Sequence, residues 1–100
     1  MMAPQPLSQR QRDLIKAYSY SQMQMTPQEF VSKWDVNYEE VSLICGRSIS
    51  TVSFWFSYGV NQRQPTRNDM RHLALVDFIL NNFQEIPREF MNLLCPLDSD

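Results

Sequence analysis

A chain of 100 residues is the size of one compact domain, which argues against a two-domain enzyme with a cleft between its domains. Apolar residues make up 43% of the chain, enough for a core, whereas two glycines are too few for the tight turns of an all-β protein. No apolar run approaches the roughly 20 residues of a membrane span, and the N-terminus has no secretory signal pattern. We therefore expect an all-α protein that stays in the cytoplasm and does not enter a membrane.

The charges are unevenly distributed along the chain. The net charge is −2, which by itself is not typical of a protein that binds nucleic acid. Between Arg47 and His72, however, four arginines stand against Asp69 alone, a balance of +3, while the rest of the chain carries −5. This distribution predicts one basic face on an acidic body.

The first 24 residues are predicted to be an extension that precedes a domain over 25–97. Residues 1–7 contain two prolines and are typical of a disordered lead-in. Ser8 has the character of an N-cap, and the short helix predicted after it has an apolar side made of Leu14, Ile15 and Tyr18. A polar, methionine-rich connector leads to the domain.

Two capping signals predict the first two helices of the domain. Thr26 supplies an N-cap hydroxyl, Pro27 suits the first helical position, and Glu29 completes a capping box. Asn37 and Glu40 repeat this arrangement. The side chains expected to face inward are Phe30, Val31 and Trp34 in the first helix, and Val41, Ile44 and Cys45 in the second.

A third helix is predicted to begin near Ser48 or Ile49, after Gly46 ends the second helix as a left-handed cap. Gly59 is predicted to stop it, before a polar loop over 60–65. The face expected to pack inward consists of Ile49, Val52, Trp55 and Phe56. The opposite face consists of Ser50, Ser53, Phe54 and Ser57.

The longest helix is predicted over 67–83, where Thr66 and Asp69 form another capping box. Its apolar stripe is expected to contain Met70, Leu73, Leu75, Val76, Ile79 and Leu80. A last helix is predicted between Pro87 and Pro96, with the apolar side chains Phe90, Met91, Leu93 and Leu94. The chain is thus predicted to form a compact bundle of about five to six short helices.

The residue types that carry catalysis or bind metals do not cluster. Cys45 and Cys95 lie outside any CxxC pattern, and His72 is the only histidine, so we expect no metal site and no cofactor. The cysteines are interpreted as small buried side chains, with a disulfide or a reactive thiol as the alternative. Without a glycine-rich phosphate loop or a nucleophile paired with a base, we expect no enzyme activity.

The segment from Tyr38 to about Tyr58 has the spacing of a helix-turn-helix. Ser42 is a small residue where the two helices cross, and Gly46 lies four residues later, where the turn must bend. Val52 and Trp55 follow at positions that pack the second helix on the core. The spacing predicts that this second helix projects from a supporting first helix.

On several residues the segment 26–82 resembles the helix-turn-helix of the Cro and phage-repressor-like (XRE-like) family. The matches are Gly46, Ser48, the run Ser50-Thr51-Val52-Ser53 and Trp55, followed in order by Gly59, Pro65 and Leu73-Ala74. The chain is also similar to small stand-alone bacterial helix-turn-helix proteins. The resemblance implies a lambda-repressor-like fold, double-stranded DNA as partner, transcriptional regulation and a homodimer.

The same resemblance places a set of side chains at the DNA. Those expected to face the groove are Ser48, Ile49, Ser50, Ser53, Phe54 and Ser57, and those expected at phosphates are Arg47, Arg63, Gln64 and Arg67. Serines and a phenylalanine stand where that family often has Arg, Lys or Gln. A protein–protein interaction module on the same scaffold is therefore the alternative function. The last helix, or else the N-terminal helix, is the candidate dimer surface.

Overall fold

The computed structural model describes residues 3–20 and 22–94, and within these ranges all regular secondary structure is helical. The helices are α1 (Gln9–Ser19), α2 (Pro27–Lys33), α3 (Tyr38–Cys45), α4 (Ile49–Trp55), α5 (Arg67–Asn82) and α6 (Arg88–Leu94), with a 3-10 turn at Gly59–Asn61 between α4 and α5. The predicted all-α bundle of five to six short helices is confirmed. Cys95, Pro96 and the end of the predicted domain lie outside the described residues, as does the side chain of Leu94.

Capping boxes fix where four of the helices begin. At α2, the Glu29 amide donates to Thr26 Oγ1 at 3.0 Å, and the Thr26 amide donates to Glu29 Oε1 at 2.9 Å. The same reciprocal pair of bonds starts α1, α3 and α5, at Ser8, Asn37 and Thr66. Each box satisfies amides that have no partner inside the helix, so these helix starts follow from local sequence.

The core lies between α2, α3, α4 and α5. Its fully buried apolar side chains are Phe30, Val41, Val52, Trp55 and Leu73. Helix α3 packs against both α4 and α5, and α2 packs against α5. Trp34 lies at the edge of this core and donates its indole N–H to Asp77 Oδ1 at 2.9 Å, while Lys33 Nζ lies 2.8 Å from the same oxygen. These bonds hold the end of α2 on α5.

Two details of the core differ from the sequence prediction. Ile49 is 51% exposed, because it begins α4 beside the exposed turn over 46–48. Leu80, at the C-terminal end of the predicted stripe of α5, is also exposed. The other members of that stripe are covered: Leu73 is buried, Met70, Leu75, Val76 and Ile79 are half-buried, and Val76 packs against the core.

Helix α4 ends at Trp55, earlier than the predicted stop at Gly59. The Phe56 amide bonds to the Ser53 carbonyl at 3.1 Å, and the Ser57 hydroxyl donates to that carbonyl at 3.0 Å. The chain therefore leaves the α-helical pattern before the glycine. Gly59, with φ +80, begins the 3-10 turn instead.

Helix α1 forms as predicted, but its apolar side is uncovered. Leu14, Ile15 and Tyr18 are half or more exposed, and α1 has no buried residue. It touches the rest of the protein where the Arg71 guanidinium lies 4.7 Å from the centre of the Tyr18 ring. No helix in the described part of the chain is long and apolar enough to cross a membrane.

Candidate nucleic-acid interface

A three-residue turn over 46–48 joins α3 to α4. Gly46 has φ +65 and ψ +35, the left-handed conformation that ends a helix. A Cβ added at Gly46 would meet no atom within 4 Å, so the backbone conformation, rather than lack of space, favours glycine here. The amides of Gly46 and Arg47 both bond to the Ser42 carbonyl, which fixes the path of the turn.

The side chains that orient α4 face the core. Val52 is fully buried and Trp55 is 2% exposed, as the sequence predicts. Ser42 is buried on α3, and its hydroxyl donates to the Glu39 carbonyl at 2.6 Å, so a small polar side chain is satisfied within its own helix. Gln28 of α2 donates its amide N–H to the Trp55 carbonyl at 2.9 Å and anchors the end of α4.

The outward side of α4 carries serine hydroxyls. Ser48, Ile49, Ser50 and Phe54 are exposed, and Ser53 and Ser57 are half-buried. Ser53 donates its hydroxyl to the Ser50 carbonyl at 2.9 Å, as Ser57 does to the Ser53 carbonyl. Because each hydroxyl has a single proton, these two side chains present oxygen lone pairs to a ligand and have no donor left.

Arg47 does not stand free at the turn. Its Nε lies 2.9 Å from Oδ1 of the buried Asp69, and Asp69 Oδ2 accepts from the amide and the hydroxyl of Thr66. Burial opposes the charged form of Asp69, but the hydrogen bonds from Arg47 and Thr66 outweigh it and hold the pKa of the carboxyl below its usual value. The pair ties the turn to the start of α5, and it offsets one of the four arginine charges in this region.

The loop after α4 leads back to that helix and places Arg63 beside Phe54 on its outward side. The Arg63 amide donates to the Phe54 carbonyl at 3.1 Å, and the Arg63 guanidinium carbon lies 5.5 Å from the centre of the Phe54 ring. Among the residues that the structure describes, neither Arg63 nor Arg67 forms an ion pair. Arg67 is exposed in the first turn of α5.

A shallow cavity of about 320 Å³ lies beside the end of α4. Gln64 and Ser57, two of the predicted site residues, line it together with Gln28, Gln62 and Tyr58. The two additional glutamines were not predicted, because an isolated glutamine on a helix or loop has no distinguishing pattern. They come together only through the packing of α2 against the end of α4.

Exposed apolar side chains also surround this region. Leu43 on α3 is 76% exposed, and Tyr58 and Val60 after α4 are 94% and 100% exposed. Sequence reasoning did not single them out, since single exposed apolar residues are common on protein surfaces. In contrast, Phe56 is covered: its ring stacks on that of Tyr38, with centres 4.7 Å apart and planes at 11°.

Cys45 is half-buried and is not activated. Burial, and next the charge of Asp69, raise the pKa of the thiol to about 11. The thiol lies 3.7 Å from the Asp69 carbonyl oxygen. A protonated thiol is a weak nucleophile, so Cys45 matches the prediction of a small packing side chain rather than a reactive one.

Within residues 3–20 and 22–94, no group of three or more His, Cys, Asp or Glu side chains could hold a metal ion. His72 is exposed on α5. Compared with protein-family models, with curated proteins and with solved structures, the chain matches none.

Proposed function

We propose that the protein binds double-stranded DNA through α4 and the arginines beside it, as a transcriptional regulator. The observation that carries this proposal is the geometry of the pair α3 and α4. Val52 and Trp55 turn one side of α4 into the core, and the three-residue turn leaves the serine side outward. That is the arrangement by which a helix-turn-helix offers its second helix to the major groove.

The charges near α4 support a polyanionic partner. Arg63 and Arg67 form no ion pair within the described residues, and the Arg47 side chain remains 42% exposed while its Nε bonds to Asp69. Guanidinium groups bind phosphates by charge and by paired hydrogen bonds. The acidic residues that give the chain its overall negative charge lie mostly outside 47–72. Binding therefore depends on local rather than net charge.

Salt dependence of duplex binding tests this function. If four to six phosphates are neutralised, log K should fall against log salt with a slope of about −4 to −5. Arg67→Ala should reduce the magnitude of the slope by about 1, whereas Arg12→Ala at an exposed position of α1 is the matched control and should leave it unchanged. No binding of any duplex at low salt would contradict the proposal.

A homodimer would supply the second reading helix that a two-fold operator requires. The support is the apolar surface after α5, where Phe83, Phe90 and Leu93 are more than half exposed and Phe83 and Met91 line a cavity of about 540 Å³. Leu93→Asp should weaken both self-association and DNA binding in sedimentation and binding assays. Leu43→Asp, at a similarly exposed position on α3, is the control for self-association. A monomeric variant with unchanged DNA affinity would contradict the dimer.

The second candidate function is a protein–protein interaction module built on the same helices. The exposed Leu43, Tyr58 and Val60 favour it, because apolar side chains of this size are typical of protein interfaces. The salt titration discriminates between the two functions, since a protein-binding module would retain no duplex at low salt. Either function is non-catalytic, requires no cofactor and suits a cytoplasmic protein.

A further inference from the structure

We infer that Phe54 and Arg63 act as one base-reading unit, in which the guanidinium binds a guanine and the phenyl ring contacts the methyl group of the neighbouring thymine. This inference rests on the proposed DNA-binding function. It assigns Arg63 to a base edge, whereas the family resemblance implies that Arg63 contacts a phosphate.

The first support is that Arg63 is attached to α4 by its backbone. The 3-10 turn at Gly59–Asn61, closed by a 3.1 Å bond from the Gln62 amide to the Gly59 carbonyl, leads the loop back to the helix. The Arg63 amide then bonds to the Phe54 carbonyl at 3.1 Å. Although Phe54 and Arg63 lie nine positions apart in sequence, the two side chains therefore start from adjacent backbone.

The second support is the contact between the two side chains. The guanidinium carbon lies 5.5 Å from the centre of the Phe54 ring, which is within the range of a cation–π interaction. A guanidinium that rests on a ring keeps its N–H groups free, because they point outward in its own plane. The ring thus restricts the side chain before any ligand binds, and its donors remain available.

The third support is the lack of a competing partner. In the part of the chain that the structure describes, the Arg63 guanidinium makes no hydrogen bond and no ion pair, whereas Arg47 is bonded to Asp69. Phe54 is 36% exposed on the outward side of α4, so the unit is accessible. Both side chains are free to meet a ligand without breaking an existing contact.

The combination of a guanidinium with a phenyl ring favours DNA bases over phosphates as the ligand. A phosphate offers nothing to a phenyl ring, but the major groove offers the thymine methyl, and guanine O6 and N7 accept two hydrogen bonds from one arginine. The 5.5 Å between the guanidinium carbon and the ring centre is shorter than two base steps of about 3.4 Å each, so we expect the two contacted bases, a thymine and a guanine, to be neighbours.

The test selects bound fragments from a pool of random duplex DNA, using the full chain. Wild-type protein should enrich a step of thymine beside guanine. Arg63→Lys keeps the charge but not the fork, so it should lose the guanine preference at that step, bind the selected duplex about tenfold more weakly and retain the salt slope. Arg67→Lys is the matched control and should select the same sequences as wild type.

Deoxyuridine at the selected thymine tests Phe54, because it removes only the methyl group. Wild-type protein should bind the deoxyuridine duplex several-fold more weakly, and Phe54→Ala should bind the two duplexes equally. Circular dichroism should verify that both variants fold, as expected for exposed positions.

Two results separate failure of this inference from failure of the proposed function. If Arg63→Lys selects the wild-type sequences, or if deoxyuridine has no effect on wild-type binding, the base-reading unit is wrong while DNA binding stands. If wild-type protein recovers no duplex at low salt, both are overturned.

Discussion

Replacing Asp69 by alanine removes a carboxylate that links the turn before α4 to the start of α5. Its two oxygens accept from the Thr66 amide at 2.8 Å, from the Thr66 hydroxyl at 2.9 Å and from Arg47 Nε at 2.9 Å. The side chain is almost completely buried, so water replaces these partners poorly. The substitution removes three hydrogen bonds to the carboxylate, including the side-chain half of the α5 capping box, while the backbone half from the residue 69 amide to Thr66 Oγ1 remains.

The magnitude follows from those losses. Loss of a helix N-terminal capping interaction costs about 1 kcal/mol, and a hydrogen bond to a charged group contributes about 1.5–3 kcal/mol. Thr66 is exposed and can bond to water instead, so the contributions do not add fully. We expect Asp69→Ala to lower the free energy of unfolding by about 2–3 kcal/mol, which corresponds to a fall in Tm of roughly 10–20 °C.

Urea unfolding monitored by tryptophan fluorescence measures this loss, because Trp55 is buried and Trp34 lies at the edge of the core. Asp35→Ala is the matched control: Asp35 is exposed, and its removal should change stability by less than about 0.5 kcal/mol. If Asp69→Ala and Asp35→Ala shift the urea midpoint equally, the proposed role of the Asp69 linkage is refuted.

The remaining predictions concern pH, a thiol and an aromatic stack. Because its pKa is lowered, the stability from Asp69 should be present above about pH 4 and disappear as the pH falls through the folded-state pKa; Asp69→Asn should flatten this acid limb of a urea-midpoint titration. In a Cys95→Ser background, Cys45, with a pKa of about 11, should resist alkylation at pH 8 until urea unfolds the protein; rapid labelling of native protein would contradict this. Tyr38→Ala should cost about 1 kcal/mol in urea unfolding, unlike the exposed control Tyr58→Ala; equal losses would argue against the stack.

The parts of the fold that depend on neighbours in sequence were predictable. Ser8, Thr26, Asn37 and Thr66 each lie three residues before the side chain that completes their capping box, so both partners are visible in the sequence. Gly46 was predictable for the same reason, since a left-handed helix cap is decided within one turn of chain.

The sequence predictions were wrong where the outcome depends on which chain segments pack together, or on which of two local hydrogen bonds forms. The apolar side chain of Ile49 fits an inward-facing pattern, but no helix covers the beginning of α4. The early end of α4 depends on the Ser57 hydroxyl, rather than the Ser57 amide, bonding to the Ser53 carbonyl, and composition does not specify this. Helix periodicity shows which residues share a side, not how far the neighbouring helices extend.

The candidate site was predictable in its residues but less so in their pairing. Sequence reasoning selected both Arg47 and Asp69, one as a phosphate ligand and the other as a helix cap, although 22 positions separate partners that bond to each other. The contact of Arg63 with Phe54 likewise depends on a loop that returns to α4. Such pairs follow from tertiary structure, which a single sequence does not specify.

Helix α1 has eleven residues and buries none of them, so its stability depends mainly on its own backbone and capping hydrogen bonds. Isolated helices shorter than about 12–15 residues are marginal in water, and α1 is therefore expected to exchange with coil on a submicrosecond to microsecond timescale. Its amides should take up deuterium much faster than those of α3. A ligand that covers Leu14 and Ile15 would shift this equilibrium toward helix, and slowed deuterium uptake in α1 would report that binding.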